Sequence, residues 1–137
     1  MKSVLFLCTG NACRSQIAEG WARHLRAEDF TAHSAGVAPH GVDPRAVRVM
    51  AEVGVDISRY RSKHVDELLE TALDLVVTVC DSAAEACPVF PRPVPKRHQS
   101  FEDPPALARS ATTDEEALSH YRRVRDEIRA FVESLEP

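Results

Sequence analysis

The chain has 137 residues, the size of one domain on a scale of ~150 residues each. Apolar residues make up 44% and charged residues 28%, which excludes disorder, a fibrous repeat and a coiled coil, and a net charge of −4 gives no reason to expect nucleic acid as a ligand. The unusual count is four cysteines, too sparse for a disulfide scaffold and in need of a chemical explanation.

Val4–Leu7 is apolar at every position, as in a strand buried on both faces of a parallel sheet. The run to Cys8 is too short for the ~7–15 apolar residues of a signal peptide and ends in Thr9-Gly10-Asn11 and Arg14. No segment reaches the ~20 apolar residues of a membrane span. The chain is therefore expected to be cytoplasmic, where thiols stay reduced and disulfides are transient and catalytic. Ser15–Arg26 has helical spacing, with Ile17, Ala18, Trp21, Ala22 and Leu25 on one face. Phe30–Ala35 is a weaker strand. Asp43 and Pro44 open a second helix as N-cap and first residue, and Gly54 closes it.

Asp66–Ala72 follows as a helix and Leu73–Val79 as the strongest strand of the chain. Pro88–Pro95 is a rigid proline-rich loop, and Arg97–Phe101 a last strand before Asp103-Pro104-Pro105. Thr113 and Glu116 form a capping box for the final helix, whose Ala117, Tyr121, Val124, Ile128, Phe131 and Leu135 recur at steps of four and three. Strands alternating with helices give an α/β fold, one domain over 1–137 with a four-stranded parallel sheet flanked by helices. Ligands of such sheets sit beyond the carboxyl ends of the strands.

Cys8-Thr9-Gly10-Asn11-Ala12-Cys13-Arg14-Ser15 occupies that position, between the first strand and the first helix. A loop entering a helix N-terminus aims several backbone N–H groups at one point, where the macrodipole favours negative charge. Gly10 is expected to supply positive φ, and Arg14 a planar fork for a tetrahedral oxyanion. Cys8, surrounded by positive potential and with Ser15 able to donate to its sulfur, is then a thiolate nucleophile at neutral pH. Cys13, one turn into the helix, is expected to be structural.

Cys80 ends the strong strand and Cys87 lies seven residues later. No cysteine pair has the Cys-x2-Cys spacing of a zinc site, and no histidine is suitably placed. If Asp81–Ala86 is helical, the two Cα atoms are roughly 10 Å apart at ~1.5 Å rise, beyond the ~4.4–6.8 Å of a disulfide. They can bond only if the helix unravels, and this stretch offers little apolar anchoring before Pro88. That is consistent with a redox-driven order–disorder switch.

Cys8–Ser15 resembles the phosphate-binding loop of low-molecular-weight protein tyrosine phosphatases and of the arsenate reductases built on the same fold. Gln16–Gly20, Ser34-Ala35-Gly36, His40-Gly41-Val42, Asp74–Cys80 and Asp103-Pro104 extend the likeness over nearly the whole chain, towards the thioredoxin-coupled reductases. The resemblance implies arsenate as substrate, with phosphate as its analogue, held by Cys8, Thr9, Gly10, Asn11, Ala12, Cys13 and Arg14. It implies that Cys8 attacks arsenate, Asp103 protonates the departing oxygen, Cys80 attacks Cys8 to release arsenite, and Cys87 attacks Cys80. The Cys80–Cys87 disulfide would go to reduced thioredoxin, the electron donor, with no bound cofactor and no partner subunit needed.

The phosphatases of this fold commonly carry an aromatic residue after Asp-Pro; Pro105 stands there instead, which favours a small inorganic oxyanion. Some of these reductases hold a potassium ion near the loop. Asn11, Glu19 and Ser34 match three of its ligands, but the remaining places fall on Arg61 and Lys63, so Lys63 is expected near Glu19 in place of the ion. Two alternatives use the same loop: a phosphatase on Cys8, Arg14 and Asp103, and a non-catalytic oxyanion-binding or thiol-sensing module.

Overall fold

The computed structural model describes residues 1–81, 83 and 87–137. Four strands, β1 (Lys2–Cys8), β2 (Phe30–Gly36), β3 (Leu75–Thr78) and β4 (Lys96–His98), form one sheet in the order β2-β1-β3-β4, with every neighbouring pair parallel. β1 lies between two partners and under helices, so Val4, Leu5, Phe6 and Leu7 are all fully buried, as their unbroken apolar run requires. β4 is an edge strand, exposed at all three residues.

The helices are α1 (Arg14–Leu25), α2 (Pro44–Ala51), α3 (Pro104–Ala108) and α4 (Asp114–Ser134). α4 packs on α1, α2 and α3. Its six apolar positions are all buried, and the Trp21 indole N–H donates to the Arg125 carbonyl at 3.1 Å. Asp43 caps α2 by accepting from Arg45 N at 2.9 Å, with Pro44 as first residue, as expected. Gly54, in the left-handed region at φ +81°, ends the turns that follow α2.

Several expectations shift. Asp66–Ala72 is not an α-helix: Val65–Leu68 forms a 3-10 turn capped by His64, because Val65 and Leu68 are the buried residues here and their spacing of three suits three residues per turn. The third strand shortens to Leu75–Thr78. The Asp74 carboxylate accepts from Ser3 N at 2.7 Å, and Val79 N still donates to Leu7 O at 2.9 Å. The last strand is Lys96–His98, and Gln99 and Phe101 only donate single bonds to Thr78 and Val79. Half of the capping box forms: Thr113 Oγ1 accepts from Glu116 N at 3.1 Å, but the Glu116 carboxylate reaches past it to Thr112 N at 3.0 Å. α3 was not foreseen, although Asp103-Pro104 repeats the Asp-Pro signature that opens α2. The helix expected over Asp81–Ala86 falls largely outside the described residues, and with it the expected switch.

Candidate active site

Parallel strands bring their carboxyl ends to one edge of the sheet. β1 ends at Cys8, β3 runs out to Cys80, and β4 leads to Asp103, so residues far apart in sequence meet there. α1 begins at the same edge. α2 and α4 have side-chain caps, but the N-cap of α1 is Cys13 with no side-chain hydrogen bond, and its first turn holds no acid. Its amides and dipole are therefore left for a ligand.

The Cys8 sulfur is 3% exposed and accepts from Asn11 N at 3.2 Å. Ser15 Oγ lies 2.8 Å away. Asn11 Nδ2 donates into that same hydroxyl at 2.8 Å, which leaves the hydroxyl proton free to point at the sulfur. Asn11 Nδ2 also reaches Ser34 Oγ at 3.0 Å, Ser34 donates to Glu19 Oε1 at 2.6 Å, and Asn11 Oδ1 accepts from Lys63 N at 2.9 Å. One buried amide thus ties the nucleophile's loop to α1, to β2 and its buried carboxylate partner, and to the segment at Lys63.

The positive φ expected at Gly10 belongs to Asn11, at φ +46°, a conformation Asn tolerates better than most residues. What crowds Gly10 is a side chain: a Cβ there would come within 2.0 Å of His40 Nε2 and would push that exposed ring aside. The His40 ring lies on the loop, and its backbone N donates to Gly10 O at 3.2 Å.

Arg14 Nη1 donates to Phe101 O at 2.9 Å, and Nη2 stands 3.5 Å from Asp103 Oδ1. The Asp103 carboxylate is part-exposed and lines the same cavity of about 330 Å³ as Cys8, Gly10 and Arg14. A second opening shares Thr9 and Arg14 with it and is lined by Cys80 and Asp81. Thr9 Oγ1 is 3.3 Å from Cys80 Sγ, so the second cysteine adjoins the loop. Cys80 is buried and Cys87 half-buried, and burial pushes the Cys87 thiol up while Lys96 opposes it. Burial, then the Asp43 charge, pushes the Cys13 thiol well up, which keeps it protonated and fits the structural role expected for it. Beside Cys80, His98 bridges Thr78 Oγ1 at 2.7 Å and Asp81 Oδ1 at 2.8 Å.

The residues around Glu19 do not fit a potassium ion. Glu19 Oε2 pairs with Arg23 Nε at 2.8 Å, and Oε1 faces Lys63 Nζ at 4.0 Å. Arg61 turns away to Glu67 at 2.6 Å. Two cations already surround the carboxylate, and Asn11 Oδ1 is taken by an amide. Among the described residues, no three His, Cys, Asp or Glu side chains converge as a metal cluster. Sequence reasoning missed His40 as a wall of the cavity, although its place beside Gly41 and ahead of the Asp43 cap put it near the loop.

The model of the family described as low molecular weight phosphotyrosine protein phosphatase matches residues 3–136. The chain is similar to the arsenate reductase of Bacillus subtilis (strain 168), at 47% identity over 127 residues, 93% of this chain and 89% of the relative. It also resembles a solved arsenate reductase in the phosphate binding state, with TM-score 0.76 and 33% identity, covering 97% of this chain and 95% of the other. A thioredoxin-dependent arsenate reductase from Corynebacterium glutamicum superposes with TM-score 0.68 at 26% identity, over 98% of this chain and 61% of that one. With nearly its whole length matched, the chain belongs to the low molecular weight phosphotyrosine protein phosphatase family.

Proposed function

We propose that this protein is an arsenate reductase that draws its electrons from thioredoxin. The observation that carries this is the second thiol: Cys80 Sγ stands against Thr9 at the edge of the Cys8 loop, where a phosphatase has no use for it. The similarity to arsenate reductases, one of them thioredoxin-dependent, supports the same reading.

Arsenate enters with its oxygens on the loop amides and Arg14, whose fork swings from Phe101 O and Asp103 to the anion. The Cys8 thiolate, held by Asn11 N and Ser15, attacks arsenic, and Asp103 protonates the departing oxygen, which leaves as water. The Cys80 thiolate then attacks the Cys8 sulfur. A sulfur–sulfur bond forms, the sulfur–arsenic pair stays on arsenic, and As(V) leaves as arsenite, As(III). Cys87 attacks Cys80 and returns Cys8 as a thiolate. Reduced thioredoxin takes the Cys80–Cys87 disulfide, supplying the two electrons. Cys13 takes no part. The enzyme works as a monomer in the cytoplasm; no helix among the described residues is long and apolar enough to cross a membrane.

Hydrolysis of phosphomonoesters by Cys8, Arg14 and Asp103 is the expected side activity, since phosphate and arsenate are near isosteres. The test is arsenite production with thioredoxin, thioredoxin reductase and NADPH, alongside aryl phosphate hydrolysis, on Cys8→Ser, Cys80→Ser and Cys87→Ser. All three variants should lose reduction, and only Cys8→Ser should lose hydrolysis. Full reductase turnover in Cys80→Ser or Cys87→Ser would overturn the relay.

A further inference from the structure

The cavity over Cys8 carries two walls that the chemistry above leaves unused, His40 and Arg109. His40 is held on the loop by its backbone bond to Gly10 and by a ring that leaves no space for a Cβ there. Arg109 ends α3, the short helix that Asp103 begins, so one rigid turn carries both the acid and this guanidinium to the cavity. Among the described residues Arg109 takes part in no ion pair or side-chain hydrogen bond, whereas Arg14 is engaged on Phe101 O and Asp103. Between them Pro105 presents no flat aromatic surface.

An inorganic tetrahedral oxyanion under attack from Cys8 keeps three oxygens on the loop and Arg14 and points the fourth, in line with sulfur, towards the mouth. In a phosphomonoester that outward position carries the organic group. A guanidinium and an imidazole N–H at the mouth therefore meet an unsubstituted oxygen in one case and an oxygen covered by its organic substituent in the other. We propose that Arg109 and His40 form a selectivity rim that binds the outward oxygen of unesterified tetrahedral oxyanions and disfavours their esters. An ester would strip solvent from the cation and offer only its weak, shielded bridging oxygen, which is rejection by a poorly paired polar group. The inference deepens the proposed reductase function, because it names how a phosphatase-type pocket selects the inorganic anion.

The experiment compares Arg109→Ala, Arg109→Lys and His40→Asn with the parent protein. It measures KM and kcat for arsenate reduction, kcat/KM for an aryl phosphate, and Ki for inorganic phosphate against aryl phosphate hydrolysis. Arg109→Ala should raise the arsenate KM and the phosphate Ki about tenfold, with kcat changed less than threefold, as expected for loss of one charged hydrogen-bonding group. The aryl phosphate kcat/KM should stay level or rise by up to about threefold, Arg109→Lys should recover part of the phosphate affinity, and His40→Asn should shift Ki in the same direction by less. Equal losses on inorganic anion and ester, or an unchanged phosphate Ki, would overturn the rim. The phosphate Ki needs no thioredoxin, so the rim stands or falls on it even if the parent protein makes no arsenite.

Discussion

Cys8 and Cys87 face opposite surroundings. Around Cys8, an amide, a hydroxyl and a chain of buried side chains reach as far as Glu19, and almost no polar atom is idle. Around Cys87 there is a proline-rich stretch without regular structure up to β4, itself an exposed edge strand, and Val89 stands 91% exposed. A nucleophile that must hold one oxyanion geometry benefits from an over-determined setting. A thiol that must meet two partners in turn benefits from light anchoring, because each new bond then disrupts little. The two thiol environments divide the proposed reaction into a rigid half and a yielding half.

The contrast can be broken most forcefully at Asn11. Asn11→Ala strips donors from Ser15 and Ser34, removes the acceptor of Lys63 N and puts Ala at positive φ. It should lower kcat for both reduction and hydrolysis about 100-fold or more, and stability by about 2–4 kcal/mol in urea unfolding. Loss of only one of the two activities would show that the rigid half does not act as a unit. Gly10→Ala should cost about 1 kcal/mol or less by displacing the exposed His40 ring, and His40→Ala should relieve most of that in the double variant. Simple additivity of the two changes would deny that contact.

Lys63→Ala leaves Glu19 with Arg23 as its one cation among the described residues, beside the Ser34 hydroxyl, and activity in sodium buffer should fall about tenfold. Added potassium should restore part of it, whereas the parent protein should turn over equally in potassium and sodium at equal ionic strength; a potassium requirement in the parent would reverse the reading. In the yielding half, His98→Ala removes the bridge between Thr78 and Asp81, an exposed contact worth about 0–1 kcal/mol. It should change reduction no more than about fivefold and leave aryl phosphate hydrolysis alone; loss of hydrolysis would erase the division. The smallest effect is alkaline. Burial raises both the Cys13 thiol and the Tyr121 hydroxyl, which donates to Asp43 at 2.5 Å. Raised folded values mean that the unfolded chain loses its protons first, so stability is complete below about pH 9 and declines as pH rises above it. Urea midpoints between pH 7 and pH 10 should fall, and less steeply in Cys13→Ala.

Local chemistry was legible where a residue type and its spacing answer to one cause. The apolar run Val4–Leu7 announced a central parallel strand, Asp43-Pro44 announced a helix start, and the polar residues after Cys8 announced a strand-to-helix junction. Legibility failed where a neighbour distant in sequence decides. Asp66–Ala72 looked helical because its packing surface is invisible in the chain, and α3 was not foreseen because Asp103-Pro104 was read for its carboxylate rather than as a helix start. The positive φ expected at Gly10 falls on Asn11 instead, since a glycine's letter does not say which residue of a loop turns left-handed.

The sequence by itself determined the sheet class, the loop between the first strand and the first helix, and the inventory of thiols, because periodicity, capping and short loops act within a few residues. Only the tertiary structure decided that Thr9 meets Cys80, that Lys63 stands at Glu19, and that His40 and Arg109 share a cavity with Cys8. Those contacts depend on parallel strand register and helix packing, which bring chain segments dozens of residues apart to one edge of the sheet.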